Sequence, residues 1–196
     1  MTSQRKIVVG ITGASGAPYA KRLLEKLRTR VTTHGDVEVA VCLSSTAPSV
    51  WELECGGDVR EFDFRTWGLR DYSAPFASGS AGWGAMAIVP CSMGSLARIA
   101  HGISDTLLTR AADVMIKERR TLVIVPRETP LSVIHLENMA TLARAGAILL
   151  PAMPSFYGKP QSLTDLVDSV VDRILAQLGV PSDAAHRWGD APAVRS

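Results

Sequence analysis

The chain lacks most of the features that would send a protein across a membrane, out of the cell or onto nucleic acid. No apolar run in its 196 residues approaches the roughly eighteen that a membrane span needs. A net charge of +2 gives no reason to invoke nucleic acid or an anionic lipid surface as a partner. Met1 to Lys6 is polar and leads into a short apolar run, so no signal peptide is expected. Cysteine is scarce: Cys42, Cys55 and Cys91 are widely spaced and odd in number. That suits a reduced, cytoplasmic interior better than a disulfide framework. The four histidines, His34, His101, His135 and His186, share no ligand spacing with one another or with cysteine. No metal site is expected. Internal repeats, low-complexity tracts and interdomain linkers are also missing.

What is present reads as one domain with a substantial core, at 46% hydrophobic and 20% charged residues. Short β-branched runs recur at Ile7–Ile11, Val37–Leu43, Ala85–Pro90, Thr121–Val125 and Ala147–Leu150. They show no clear in/out alternation, as expected of strands covered on both faces. Helical patterns lie between them at 18–30, 46–54, 93–101, 105–118, 131–145 and 163–178. Strand–helix alternation predicts an α/β fold with a doubly wound parallel sheet. Residues 56–84 are less regular, and Asp71–Ser80 within them reads as a loop with one helical turn at most. The tail 181–196 carries Trp188, which needs a neighbouring subunit or the site itself to pack against.

In an open parallel sheet, ligands bind outside the carboxyl ends of the strands. The first such end, Thr12-Gly13-Ala14-Ser15-Gly16, passes an apolar strand into a helix through small residues. Bare N–H groups at a helix N-terminus suit an anion such as phosphate, although a purely structural turn has the same composition. The spacing matches neither the dinucleotide nor the P-loop fingerprint. Leu43-Ser44-Ser45, Pro90-Cys91-Ser92-Met93-Gly94-Ser95, Pro126-Arg127-Glu128-Thr129-Pro130 and Pro151–Tyr157 end the other strands. Five polar turns on one edge suit a phosphorylated, ring-bearing ligand better than capping alone.

Individual residues stay two-sided. Arg127 and Glu128 can anchor an anion and shuttle a proton, or can be a surface arginine and a helix-capping glutamate. Arg110 and Lys117 fall on one helical face with Asp113 between them, an ion-pair ladder by default and a phosphate grip otherwise. Tyr157 and Arg173 are equally ambiguous, and Glu54 reads as solvent-facing. Cys91 has no histidine nearby in sequence and reads as a buried, inert thiol. His101 and His135 sit in helical patterns among apolar residues and read as structural.

Taken together, these turns resemble the UbiX-like flavin prenyltransferases, long described as aromatic-acid decarboxylases. The matching stretches include Gly10–Ala17, Ala77-Ser78-Gly79-Ser80, Pro90–Gly94, Arg110–Val114, Lys117-Glu118-Arg119-Arg120, Pro126–Leu131, Ile134–Met139, Phe156-Tyr157 and Pro160-Gln161-Ser162. They run in family order from residue 7 to Trp188. The resemblance implies a Rossmann-like (flavodoxin-like), three-layer α/β/α domain over residues 1–180. It implies transfer of a dimethylallyl group from dimethylallyl phosphate to N5 and C6 of reduced FMN, without a metal. The prenylated FMN would serve a UbiD-type decarboxylase in ubiquinone synthesis or phenolic-acid breakdown.

By the same resemblance, FMN is held by Gly13, Ala14, Ser15, Ser44, Ser92, Met93, Gly94, Ser95 and Arg127. The prenyl phosphate falls to Lys117, Tyr157 and Arg173 with help from Arg110, and Trp188 packs on the isoprenyl group. Ser15, Glu54, Lys117 and Glu128 take the catalytic roles. Glu54 and Lys117 are expected from a neighbouring subunit, within a dodecamer. Ser45-Thr46 departs from the Lys-Ala that many members carry, and the 56–70 region is individual; neither is expected to touch the motif residues. Two alternatives share the fold. An FMN-dependent cysteine decarboxylase calls for an Asn that Pro151–Tyr157 lacks. A non-catalytic FMN carrier leaves Lys117, Glu128, Tyr157 and Arg173 unexplained.

Overall fold

A computed structural model describes residues 4–180. Six strands form one sheet: β1 (Arg5–Ile11), β2 (Val37–Leu43), β3 (Arg65–Trp67), β4 (Ala85–Cys91), β5 (Thr121–Pro126) and β6 (Ile148–Leu149). All neighbours are parallel and the order is β3-β2-β1-β4-β5-β6. Every strand therefore ends at one edge, and the order reverses between β1 and β4. That switch point opens the crevice where α/β folds take ligands.

The helices α1 (Ala17–His34), α2 (Ala47–Cys55), α3 (Met93–Ala100), α4 (Leu107–Lys117), α5 (Val133–Arg144) and α6 (Leu163–Gln177) divide over the two faces. Ile7, Val9 and Ile11 of β1 point to a core shared with α1, α2 and α6. Val8 points to a second core shared with α3, α4 and α5. With both faces covered, the central strands are buried at nearly every position, which is why they read as unbroken apolar runs. On one face, Arg22 of α1 pairs with Asp168 of α6 at 2.7 Å and Lys26 with Asp172 at 2.5 Å. These pairs fix α6, which carries Arg173.

Two departures from the sequence reading concern position. Strand β3 lies within the irregular stretch 56–84, where no strand was expected, paired with β2 through Arg65–Trp67. At three residues it is too short for a period-two signal, and 3-10 turns at Val59–Phe62, Pro75–Ala77 and Gly79–Ala81 fill the rest. Trp67 packs edge-on to Phe76, and Phe76 to Trp83, closing that end of the second core. The histidines also differ. His101 is exposed at the C-terminus of α3, and the His135 ring accepts the Ser132 N–H at 3.3 Å in a capping box. Both serve helix ends rather than an apolar interior, since the hydrophobic face of each helix is set by its neighbours.

Candidate active site

Thr12 stitches the switch point together. Its Oγ1 donates to the Pro90 carbonyl at 2.8 Å and accepts the Ser92 N–H at 2.8 Å. The side chain is buried, so the ends of β1 and β4 are joined by a hydroxyl with no competing water. This role is not visible in sequence, where a threonine ending a strand carries no partner 78 residues away.

Beyond Thr12, the Gly13–Gly16 turn passes into α1. Gly16 occupies the N-cap position with φ 119°, a conformation that excludes side chains. It therefore has no side chain to cap α1, and the cap comes from elsewhere. Glu54 Oε2 accepts the N–H groups of Gly16 and Ala17, both at 2.8 Å. The Ser15 hydroxyl lies beside the same carboxylate and favours its charged form. Partial burial works to raise the Glu54 carboxyl. The Ser15 hydroxyl and the bonds from Gly16 and Ala17, with the Arg127 charge, outweigh it and hold the group below the ordinary glutamate range.

The turn is thus an anion site, and the anion it holds is the chain's own Glu54. That corrects two expectations, a solvent-facing Glu54 and one supplied by another subunit. The reason is local: the last turn of α2 lies beside the first turn of α1, whose free N–H groups and dipole attract a carboxylate.

Arg127, two-sided in sequence, reaches across the edge: its Nε donates to the Ser15 carbonyl at 2.8 Å, across 112 residues. Its own N–H bonds the Cys91 carbonyl at 3.4 Å. Glu128 follows at the exposed rim, where its carboxylate accepts the Thr129 N–H at 3.0 Å. Ser92 caps α3 and its hydroxyl donates to that of Ser95 at 3.1 Å, with Met93 buried and Gly94 exposed between them. Cys91 beneath is fully buried and pushed up to about 12 by that burial, an inert thiol as expected.

Ser44 lies beside Ile11, donating its N–H to the Ile11 carbonyl at 2.9 Å, and its hydroxyl meets that of Thr46 at 3.3 Å. Thr46 also presses on Gly13: a Cβ there would come within 2.0 Å of Thr46 Oγ1 and 2.6 Å of its Cβ. The Ser45-Thr46 departure, expected to stand clear of the motif residues, touches two of them. Contact between turns on different strands leaves no trace in residue spacing. The bare backbone of Gly13, Ala14 beside it, and the hydroxyls of Ser15 and Ser44 fit a flat ring with a phosphate tail, as FMN has.

Tyr157 and Arg173 come together in a groove of about 390 Å³ between β6 and α6, shared with Pro151, Met153 and Ser155. Arg110 and Lys117 do not join them. Helix α4 packs on the other face of the sheet, and Lys117 ends it just before β5 begins. There Arg110 donates to Asp113 at 2.9 Å and Lys117 to Glu118 at 2.7 Å. Trp188 and the tail 181–196 lie outside the described residues. Among the described residues, no three His, Cys, Asp or Glu side chains are grouped to hold a metal ion. No helix among them is long and apolar enough to cross a membrane.

The chain matches the Flavoprotein family model over residues 1–175. It is 49% identical over 194 residues to a protein of Streptomyces sp. (strain D7) described as a probable UbiX-like flavin prenyltransferase, covering 97% of this chain and 95% of that one. Among solved structures, AnUbiX (PadA1) in complex with FMN and dimethylallyl pyrophosphate superposes with a TM-score of 0.90 at 40% identity, covering 96% of this chain and 100% of that one. A dodecameric FMN-dependent UbiX-like decarboxylase from Escherichia coli O157:H7 gives 0.87 at 44% identity, covering 93% and 98%. A match to the family model over most of the chain, with relatives this similar along almost its whole length, leaves one placement: the chain belongs to the flavoprotein family and, within it, to the UbiX-like flavin prenyltransferases.

Proposed function

We propose that this chain joins a dimethylallyl group from dimethylallyl phosphate to N5 and C6 of reduced FMN. The observation that carries the proposal is the convergence on one turn of Ser15 after β1, Glu54 from the last turn of α2 and Arg127 after β5. Bound there, reduced FMN supplies the nucleophilic ring positions. Gly13, Ala14, Ser15, Ser44, the Ser92–Ser95 segment and Arg127 hold it along the sheet edge.

The rest of the work belongs to side chains. Breaking an allylic C–O bond leaves negative charge on the departing phosphate and positive charge on the prenyl group. Arg173 and the Tyr157 hydroxyl share one groove and face the phosphate. Arg110 and Lys117, on the opposite face of the sheet, complete that grip from a second copy of the chain. Fixed cations stabilise charge where it develops, with no reorganisation at the moment of reaction. Trp188 offers a π-face to the carbocation. Glu54 stays ionised under its hydrogen bonds and holds the Ser15 hydroxyl, while Glu128 at the open rim moves the proton released on ring closure.

The assembly is a homo-oligomer, a dodecamer as in the Escherichia coli relative. Large apolar side chains left exposed support it, with Val133 69% and Ile134 68% accessible on α5. The product serves a UbiD-type decarboxylase. Three unpaired cysteines support a reducing, cytoplasmic setting. Anaerobic incubation with reduced FMN and dimethylallyl phosphate should give a flavin heavier by one C5 unit in the mass spectrum. Unmodified FMN alone, with mono- and diphosphate donors alike, would falsify the proposal.

A further inference from the structure

The Ala77-Ser78-Gly79-Ser80 motif lies outside the site described above, in the 3-10 turns that lead from β3 to β4. It is packed instead against α4 and the turn after it. Arg110 Nε donates to the Ala77 carbonyl at 3.1 Å. Arg120 donates to the carbonyls of Gly79 and Trp83. Glu118 makes the closest approach. A Cβ on Gly79 would come within 2.2 Å of Glu118 Oε1 and 2.5 Å of its Cδ, so the carboxylate occupies the space that a side chain would take. That same Oε1 accepts the Lys117 ammonium at 2.7 Å.

A chain of contacts thus runs from the Gly79 backbone through Glu118 to Lys117. We propose that Glu118, seated in the gap left by Gly79, is a positioning residue that fixes the Lys117 ammonium for the donor phosphate. The inference rests on the role proposed above for Lys117. Its physical basis is order: a four-carbon stem samples many rotamers, and a phosphate that must restrain it loses affinity. Lys117 and Glu118 keep 45% and 35% of their side-chain exposure, so water screens the pair. The carboxylate therefore orients the ammonium without cancelling its attraction for a dianion. Arg110, held by the Ala77 carbonyl and by Asp113, is fixed from the same segment.

Two variants reach Glu118 independently. Glu118→Gln removes the charge. Gly79→Ala inserts a methyl whose nearest neighbours are the far end of a flexible side chain, which can swing away without disturbing the core. Both are assayed on the full chain with saturating reduced FMN and varied dimethylallyl phosphate, beside Lys117→Ala. Each should raise the donor KM about five- to tenfold with kcat within about twofold, the pattern of lost ground-state binding. Bound flavin should be unchanged, and the double variant should be no worse than either single one.

A wild-type KM in Glu118→Gln or Gly79→Ala, beside a raised one in Lys117→Ala, overturns the positioning role and leaves that of Lys117 standing. Effects that multiply in the double variant also overturn it, because Gly79 would then act apart from Glu118. An unchanged KM in Lys117→Ala removes Lys117 from the donor site and the inference with it.

Discussion

Glu54 gathers the Ser15 hydroxyl and the N–H groups of Gly16 and Ala17 onto one carboxylate, and its titration follows from them. A carboxyl held below its unfolded value stabilises the fold above that value, near 4.3. The contribution is lost as pH falls through the lower folded value. Glu54→Gln should therefore cost about 1–2 kcal/mol near neutrality, since hydrogen bonds to a charged acceptor weaken when the charge goes. Denaturant melts should show that deficit shrinking as pH falls below about 4.3, as the wild-type carboxyl itself becomes neutral. A deficit that stayed constant with pH would mean that the charge contributes nothing. Little of this was legible in the sequence. Glycine and serine at a strand end announce free N–H groups, but the carboxylate that fills them is 38 residues away on another helix. Cys91 was legible, because an apolar strand buries whatever ends it.

The elements were easier to read than their contacts. Buried parallel strands must be apolar on both sides, so β1, β2, β4 and β5 stand out and the Ala147–Leu150 run marks β6, whereas β3 is an edge strand of three residues with no pattern to betray it. Helix starts were marked by Ser92, Thr106, Ser132 and Ser162, each accepting a backbone N–H of its first turn. Docking of one element on another was not marked. Arg22, Lys26, Asp168 and Asp172 look like ordinary surface charges, yet they join α1 to α6 across 146 residues. Asp168→Asn removes the Arg22 pair and one Lys26 contact, and should cost about 1 kcal/mol given the partial exposure of all three groups. The loss should fade in about 1 M salt, where the screening length falls to about 3 Å. Thermal melts at low and high salt measure both parts, and an equal loss at each would point to packing instead.

For the whole molecule, the decisive fact is that the two sets of groups proposed to grip the donor phosphate lie on opposite faces of the sheet, Arg173 on α6 and Lys117 on α4. Sequence motifs placed both groups in one family and could not place both in one chain. In the proposed arrangement, Lys117→Ala and Arg173→Ala each lose most of their activity at donor concentrations well below the wild-type KM but complement each other across a contact. Co-assembled in equal amounts, they should recover about a quarter of wild-type activity, because one site in four pairs an intact arginine with an intact lysine from its neighbour. No recovery, in particles shown by native mass spectrometry to be mixed, would place both groups in the same chain. The opposite-face placement also limits symmetry. A two-fold contact sets one patch against its own copy, and groups on opposite faces of a sheet cannot share a patch. Their meeting is head-to-tail, and repeated head-to-tail contacts end either in a closed ring or in an open fibre. A chain that completes its site this way needs ring closure, because an unclosed array leaves an unfinished site at one end.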